Sequence, residues 1–259
     1  MSHHAIKIST LVSLIALLGG CANLAGPGGN VTASDPTRQT RTGFLSDYDK
    51  LAKAPGGDGA LCWRQTDLDL KKYNKVMISR MVVTLKDQDN KGIDPSDLKA
   101  LVDYFQQSLV AALKPQMEIV EKPGPGVVVF RIALTDLIPT NVSRSVMGTA
   151  IPYGFVAEAG SGAATGRPAG STPYLGETGV EIQFLDGANN QVLAECVDTQ
   201  VGRKYAAEVE SGTSGATKTW INGYMNSFQA WSYARNAFDK WSMQIAKQFA
   251  VLRGTAPGK

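Results

Sequence analysis

The residues able to do chemistry are few. Cysteines stand at Cys21, Cys62 and Cys196, and the two histidines, His3 and His4, sit within the first four positions. A protein built from residues beyond position 20 works without imidazole. That excludes Ser-His-Asp and Cys-His catalysis, histidine metal sites and histidine pH switches. Three cysteines are too few for a closed four-cysteine zinc site. Asp67 and Asp69 alternate with Leu68 and Leu70, the pattern of a solvated face, and are the only carboxylate pair singled out for acid–base work. Asp87-Gln88-Asp89-Asn90-Lys91-Gly92 opens like a calcium loop. Its fifth position is Lys91 and its twelfth is Leu98, where oxygen ligands are needed, so it reads as a polar turn. The run Gly160 to Gly166 misses the dinucleotide-binding spacing, and no phosphate-loop Gly-Lys-Ser/Thr occurs. No metal, no cofactor and no catalytic residue is predicted, and the chain is expected not to be an enzyme.

The strongest signal lies at the start. Lys7 precedes an uncharged, mostly apolar stretch from Ile8 to Leu18. That is too short to span a membrane, which takes about 20 residues, but it has the length of a signal-peptide core. Leu18-Gly19-Gly20-Cys21 resembles the lipobox of bacterial lipoproteins. The resemblance implies a diacylglyceryl group on the Cys21 sulfur, removal of residues 1–20, and acylation of the new amine. Several acyl chains hold a protein stably, where one is marginal. Ala22 rather than aspartate at the next position implies sorting to the outer membrane, with the domain in the periplasm. Both histidines leave with the signal peptide. In an oxidising envelope Cys62 and Cys196 can pair, or can stay two separate buried side chains. A link between them would stabilise by up to about 4–5 kcal/mol.

The elements that must position these residues follow from composition and period. With 43% hydrophobic and 19% charged residues, a packed domain is expected. Twenty-six basic against 23 acidic residues give a net charge of +3, without the dense basic face of a nucleic-acid binder. Residues 21–42 are small, polar and turn-prone, and read as the lipidated cysteine with a flexible tether. Residues 43–254 read as one domain, and 255–259 as a tail. A turn or short helix is expected at Ser46 to Leu51, and a strand at Val76 to Val83. Asp94 is the expected N-cap and Pro95 the first residue of a helix whose stripe runs Leu98, Leu101, Val102, Phe105, Leu109, Ala112 and Leu113. Strands follow at Met117 to Val120 and Val127 to Leu134. Glu181 to Leu185 and Val192 to Val201 flank a Gly/Asn turn as a hairpin. A last helix carries Trp231, Ala234, Phe238, Trp241, Ile245, Phe249 and Leu252 on one face, capped by Ser227 or Asn226. This order implies an α+β domain, a mostly antiparallel sheet with helices packed on one face.

Residues 145–176 form a long Gly/Ala/Pro-rich loop, with seven glycines and three prolines in 32 positions. Loops of this length are often functional. Ser145 to Ala157 is uncharged and carries scattered apolar residues, which suits either a flap over the domain's own core or contact with a partner, a neighbouring copy or a membrane.

Thr42-Gly43-Phe44-Leu45-Ser46-Asp47-Tyr48, following the lipobox, resembles the opening of bacterial lipoproteins of the domain of unknown function 3313 family. Asn236-Ala237-Phe238-Asp239-Lys240-Trp241 is similar to the aromatic helix that ends its members. The resemblance spans about residues 42–252 and implies no activity and no catalytic residues. Two functions follow from the whole. The first is a non-enzymatic envelope lipoprotein that binds a protein partner or a second copy of itself. The second is a periplasmic module for a glycan, lipid or small molecule.

Overall fold

The computed structural model describes residues 31–54, 59–85, 93–141, 164–168, 171–172, 175–202 and 230–255. Its strands are β1 (Val31–Ala33), β2 (Ala52–Lys53), β3 (Leu61–Arg64), β4 (Lys75–Ile78), β5 (Val82–Val83), β6 (Glu118–Ile119), β7 (Val127–Ile138), β8 (Glu177–Asp186) and β9 (Val192–Gly202). Its helices are α1 (Pro95–Leu113) and α2 (Ser232–Arg253). The sheet runs β2-β3-β9-β8-β7-β4-β6, with β1 also on β9 and β5 also on β7. The expected α+β domain, one sheet with helices on one face, is what forms. The sheet is antiparallel from β2 to β7, while β4 and β5 pair with β7 in parallel and β6 pairs with β4 in parallel. A parallel neighbour needs a crossover, and α1 supplies the one between β4 and β6. Among the described residues no helix is long and apolar enough to cross a membrane.

Both helices form as their periods dictate. The Asp94 carboxylate accepts from the Ser96 N–H at 2.7 Å, and Pro95 opens α1. Leu101, Phe105, Leu109 and Leu113 are buried from it. Helix α2 ends at Gly254, whose φ of 71° lets its N–H reach back to the Ala250 and Val251 carbonyls. Its start differs from expectation. Trp231 occupies the N-cap position without a side-chain capping bond, its indole donating instead to Asp97 at 2.9 Å, and Ser227 and Asn226 lie outside the described residues. Phe105 and Phe238 stack with centroids 4.6 Å apart, which locks α1 to α2. Beneath them Val128, Phe130, Ile132, Leu134, Val180, Ile182 and Phe184 carry the same core from the sheet. Each such side chain contributes about 1.5–3 kcal/mol when fully buried.

Three boundaries shift. The flexible tether expected over residues 21–42 does not extend through residues 31–42: β1 pairs Val31 with Gly202, and Thr40 is buried with its hydroxyl 2.7 Å from Asp136. Small, polar residues lack apolar period, so a strand held by its backbone bonds leaves no pattern there. The strand expected over Val76 to Val83 is two strands, interrupted at residues 79–81, where buried Met81 turns into the core. Strand β8 begins at Glu177, four residues before the expected Glu181. Gly179 lies in that extension. A Cβ there would meet Asp136 Oδ2 at 2.3 Å and Thr135 Oγ1 at 2.4 Å, so only glycine lets β8 close on the irregularity of β7 between Leu134 and Asp136.

Candidate functional site

Alternation along β8 and β9 sends Glu181, Gln183 and Glu195 to the face away from the helices. Both glutamates are fully buried, at 0% exposure. What covers them is the segment Thr42 to Tyr48. Glu181 accepts from the Thr42 hydroxyl, from the Thr42 N–H at 3.2 Å and from the Tyr48 hydroxyl at 2.5 Å. Glu195 accepts from the Ser46 N–H at 2.7 Å, the Ser46 hydroxyl at 2.9 Å and the Gln183 amide at 2.6 Å. Phe44 lies under the Arg131 guanidinium, 5.0 Å from its ring centre, and Arg131 donates to Gln183. Leu45 is buried. Gly43, at φ 84°, turns the chain so that its N–H meets the Tyr48 oxygen at 2.9 Å. Burial and the adjacent Glu181 carboxylate push the Tyr48 phenol up, which keeps it a donor. Six donors reach the four carboxylate oxygens, so that each oxygen accepts at least one bond. This arrangement clamps the amino-terminal segment to the sheet, and its chemistry is structural.

The helix face holds a different feature. Cys62 and Cys196 stand directly opposite in the β3–β9 register, with Cα atoms 4.1 Å apart, and are joined as a disulfide. Around them the sequence places small side chains on one face: Ala52 and Ala54 beside β3, Ala60 and Cys62 along it, and Ala194 and Cys196 on β9. Helix α2 packs over β8 and does not fill the space above these residues. The result is a cavity of about 510 Å³ between the β2–β3 wing and α2, walled by Trp241, Ile245 and Phe249 and floored by Ile182 and Phe184. This is within the size range of small-molecule sites, about 300–1,000 Å³.

Asp198 closes one end of the cavity at 4% exposure. Its carboxylate accepts from the Trp241 indole and the Gln200 amide, each at 2.7 Å, and from the Thr199 N–H at 2.9 Å. Burial pushes its pKa up against these bonds and the nearby Lys240. The carboxylate thereby fixes the Trp241 ring as a wall of the cavity. Lys53 and Arg64 are exposed on the rim, with Gln244 and Gln248 of α2 opposite.

The residues singled out from sequence separate. Cys62 and Cys196 meet in the cavity wall. Asp67 and Asp69 stay exposed, and Asp69 caps the short turn Leu70–Lys72 by accepting from the Lys71 N–H at 3.0 Å. Cys21, residues 86–92 and most of the 145–176 loop lie outside the described residues. Among the described residues no group of three His, Cys, Asp or Glu could hold a metal ion. Sequence reasoning missed Glu181, Glu195 and Asp198. Their signal was a charge inside a β-branched run, where only a buried partner allows it.

None of the curated proteins compared with the chain matches it. Among solved structures it is similar to a PelC dodecamer subunit from Paraburkholderia phytofirmans, at 14% identity and TM-score 0.30, over 66% of this chain and 98% of that one. It is also similar to a DUF330 protein from Xanthomonas campestris, at 9% identity and TM-score 0.31, over 70% and 86%. A third is a DUF4136 protein from Bacteroides thetaiotaomicron, at 8% identity and TM-score 0.26, over 66% and 97%. No residue role is carried over from these. The sequence profile described as "Protein of unknown function (DUF3313)" matches residues 40–245, a span that opens on the Thr42–Tyr48 clamp and closes within α2, and the chain belongs to that family.

Proposed function

We propose that this protein is an outer-membrane lipoprotein, anchored through acylated Cys21, whose domain binds an apolar small molecule in the periplasm. The anchor rests on the Leu18-Gly19-Gly20-Cys21 motif and the apolar stretch before it. The binding role rests on one observation, the 510 Å³ apolar cavity beside the Cys62–Cys196 disulfide. A filled core is the default for a folded domain, because each void forfeits packing. A space kept open by six small side chains therefore favours ligand binding over assembly with a protein partner. Catalysis is not part of this reading, since the buried carboxylates Glu181, Glu195 and Asp198 are already engaged by protein donors.

An apolar fluorescent dye tests the cavity. It should bind the chain with one-to-one stoichiometry, and Ala194→Phe, which fills the space from β9, should abolish the signal without lowering the melting temperature. Equal dye binding by the variant would end the proposal. The anchor is checked separately: labelled palmitate should enter the wild-type chain in its host and not a Cys21→Ala chain.

A further inference from the structure

We infer that the ligand is a single-chain amphiphile with an anionic head, its acyl chain in the cavity and its head at Arg64; this deepens the binding reading above and rests on it. Size sets the tail. The cavity runs along α2 from Trp241 to Leu252, about 17 Å at about 1.5 Å per residue. An elongated, apolar cavity of about 510 Å³ suits one long acyl chain.

Charge sets the head. Three charged side chains line the cavity: Asp198, Lys53 and Arg64. Asp198 is buried at the end of the cavity, and both its oxygens already accept, from Trp241, Gln200 and the Thr199 N–H. Lys53 and Arg64 are exposed at the rim, and neither forms an ion pair among the described residues. Position favours Arg64. It stands at the last residue of β3, opposite Ala194, on the same strand face as Cys62 and Ala60, so its stem continues the apolar wall and its guanidinium ends it. Lys53 alternates away from that face, because its strand neighbour Ala52 is the residue opposite Cys62. A guanidinium binds carboxylate or phosphate oxygens as a two-pronged fork. The rim residues facing it across the opening, Gln244 and Gln248, are uncharged. A neutral head would leave Arg64 without a counter-charge, and a cationic head would be repelled.

The test uses the chain from residue 21 onward with Cys21→Ser, so that no acyl chain of its own competes. Tryptophan fluorescence, to which Trp63 and Trp241 of the cavity contribute, would follow titration with palmitate, neutral monopalmitoylglycerol and hexadecylamine. Palmitate should bind about tenfold more tightly than the neutral lipid, the size of one charge-assisted contact, and hexadecylamine most weakly. Arg64→Gln should remove that tenfold advantage and leave monopalmitoylglycerol unchanged. Lysophosphatidylglycerol separates the sources: tighter binding than palmitate points to a phospholipid-derived ligand, weaker binding to a free fatty acid, and both support an anionic head. Equal affinity for palmitate and the neutral lipid, or no effect of Arg64→Gln, overturns the head assignment while the cavity reading stands. Binding of none of the four probes, with the dye still bound, overturns the amphiphile. Loss of dye binding as well overturns both.

Discussion

At the residue scale, buried carboxylates organise this molecule, and each carries a separate consequence. Glu181→Ala would leave the Thr42 hydroxyl and N–H and the Tyr48 hydroxyl without their acceptor. Hydrogen bonds to a charged group are worth about 1.5–3 kcal/mol, so a loss of about 3 kcal/mol is expected. In a domain of this size that lowers the melting temperature by roughly 6–12 °C, measurable by calorimetry. Tyr48→Phe, which removes one donor, should cost about 1–2 kcal/mol by the same assay. Asp198 predicts a pH effect of opposite kind to an ordinary ion-paired acid. Its pKa in the folded chain is raised above its usual 3.8. Below pH 3.8 both states hold the proton and the contribution is complete. As pH climbs from there through the raised value, the unfolded chain ionises first and stability falls. Urea unfolding across that window should show this slope in the wild type and not in Asp198→Asn.

At the scale of elements, the helices and the long strands were legible and the short ones were not. Asp94-Pro95, the spacing of Leu101, Phe105, Leu109 and Leu113, and the turn at Asp186 to Asn190 each state their own geometry, because local chemistry and period decide them. Nothing local marks Leu61–Arg64 as a strand: its register comes from β9, more than 130 residues away, through Cys62 opposite Cys196. The cavity was invisible for the same reason. Alanine at positions 52, 54, 60 and 194 reads as filler in sequence, and becomes a wall only when three strands bring the four together. The clamp residues Thr42, Ser46 and Tyr48 were visible as a motif, but their partners lie on strands β8 and β9. The wing itself carries a prediction. With Cys62→Ala and Cys196→Ala together, β2 and β3 lose their covalent tie to β9. Stability should drop by up to about 4–5 kcal/mol, and dye binding in the cavity should weaken with it. Unchanged binding would mean that backbone pairing alone holds the wall.

At the scale of the whole molecule, β9 is the hub. It pairs with β8 on one side and with β1 and β3 on the other, and it supplies Glu195 to the clamp and Asp198 to the cavity. The amino-terminal quarter of the domain thus has its partners near the other end of the chain. Contacts of such long separation slow folding, since loop closure must precede the energy that rewards it. The sequence separation of 134 between Cys62 and Cys196 also has a meaning in time. At roughly 5–20 residues per second, about 7–27 seconds of synthesis separate the first cysteine of the pair from the second. Throughout that interval Cys62 is a free thiol on an unpaired strand, with no correct cysteine yet made. Strand β3 therefore cannot be tied down until β9 has been made, and the disulfide closes only late, once both strands stand in an oxidising compartment.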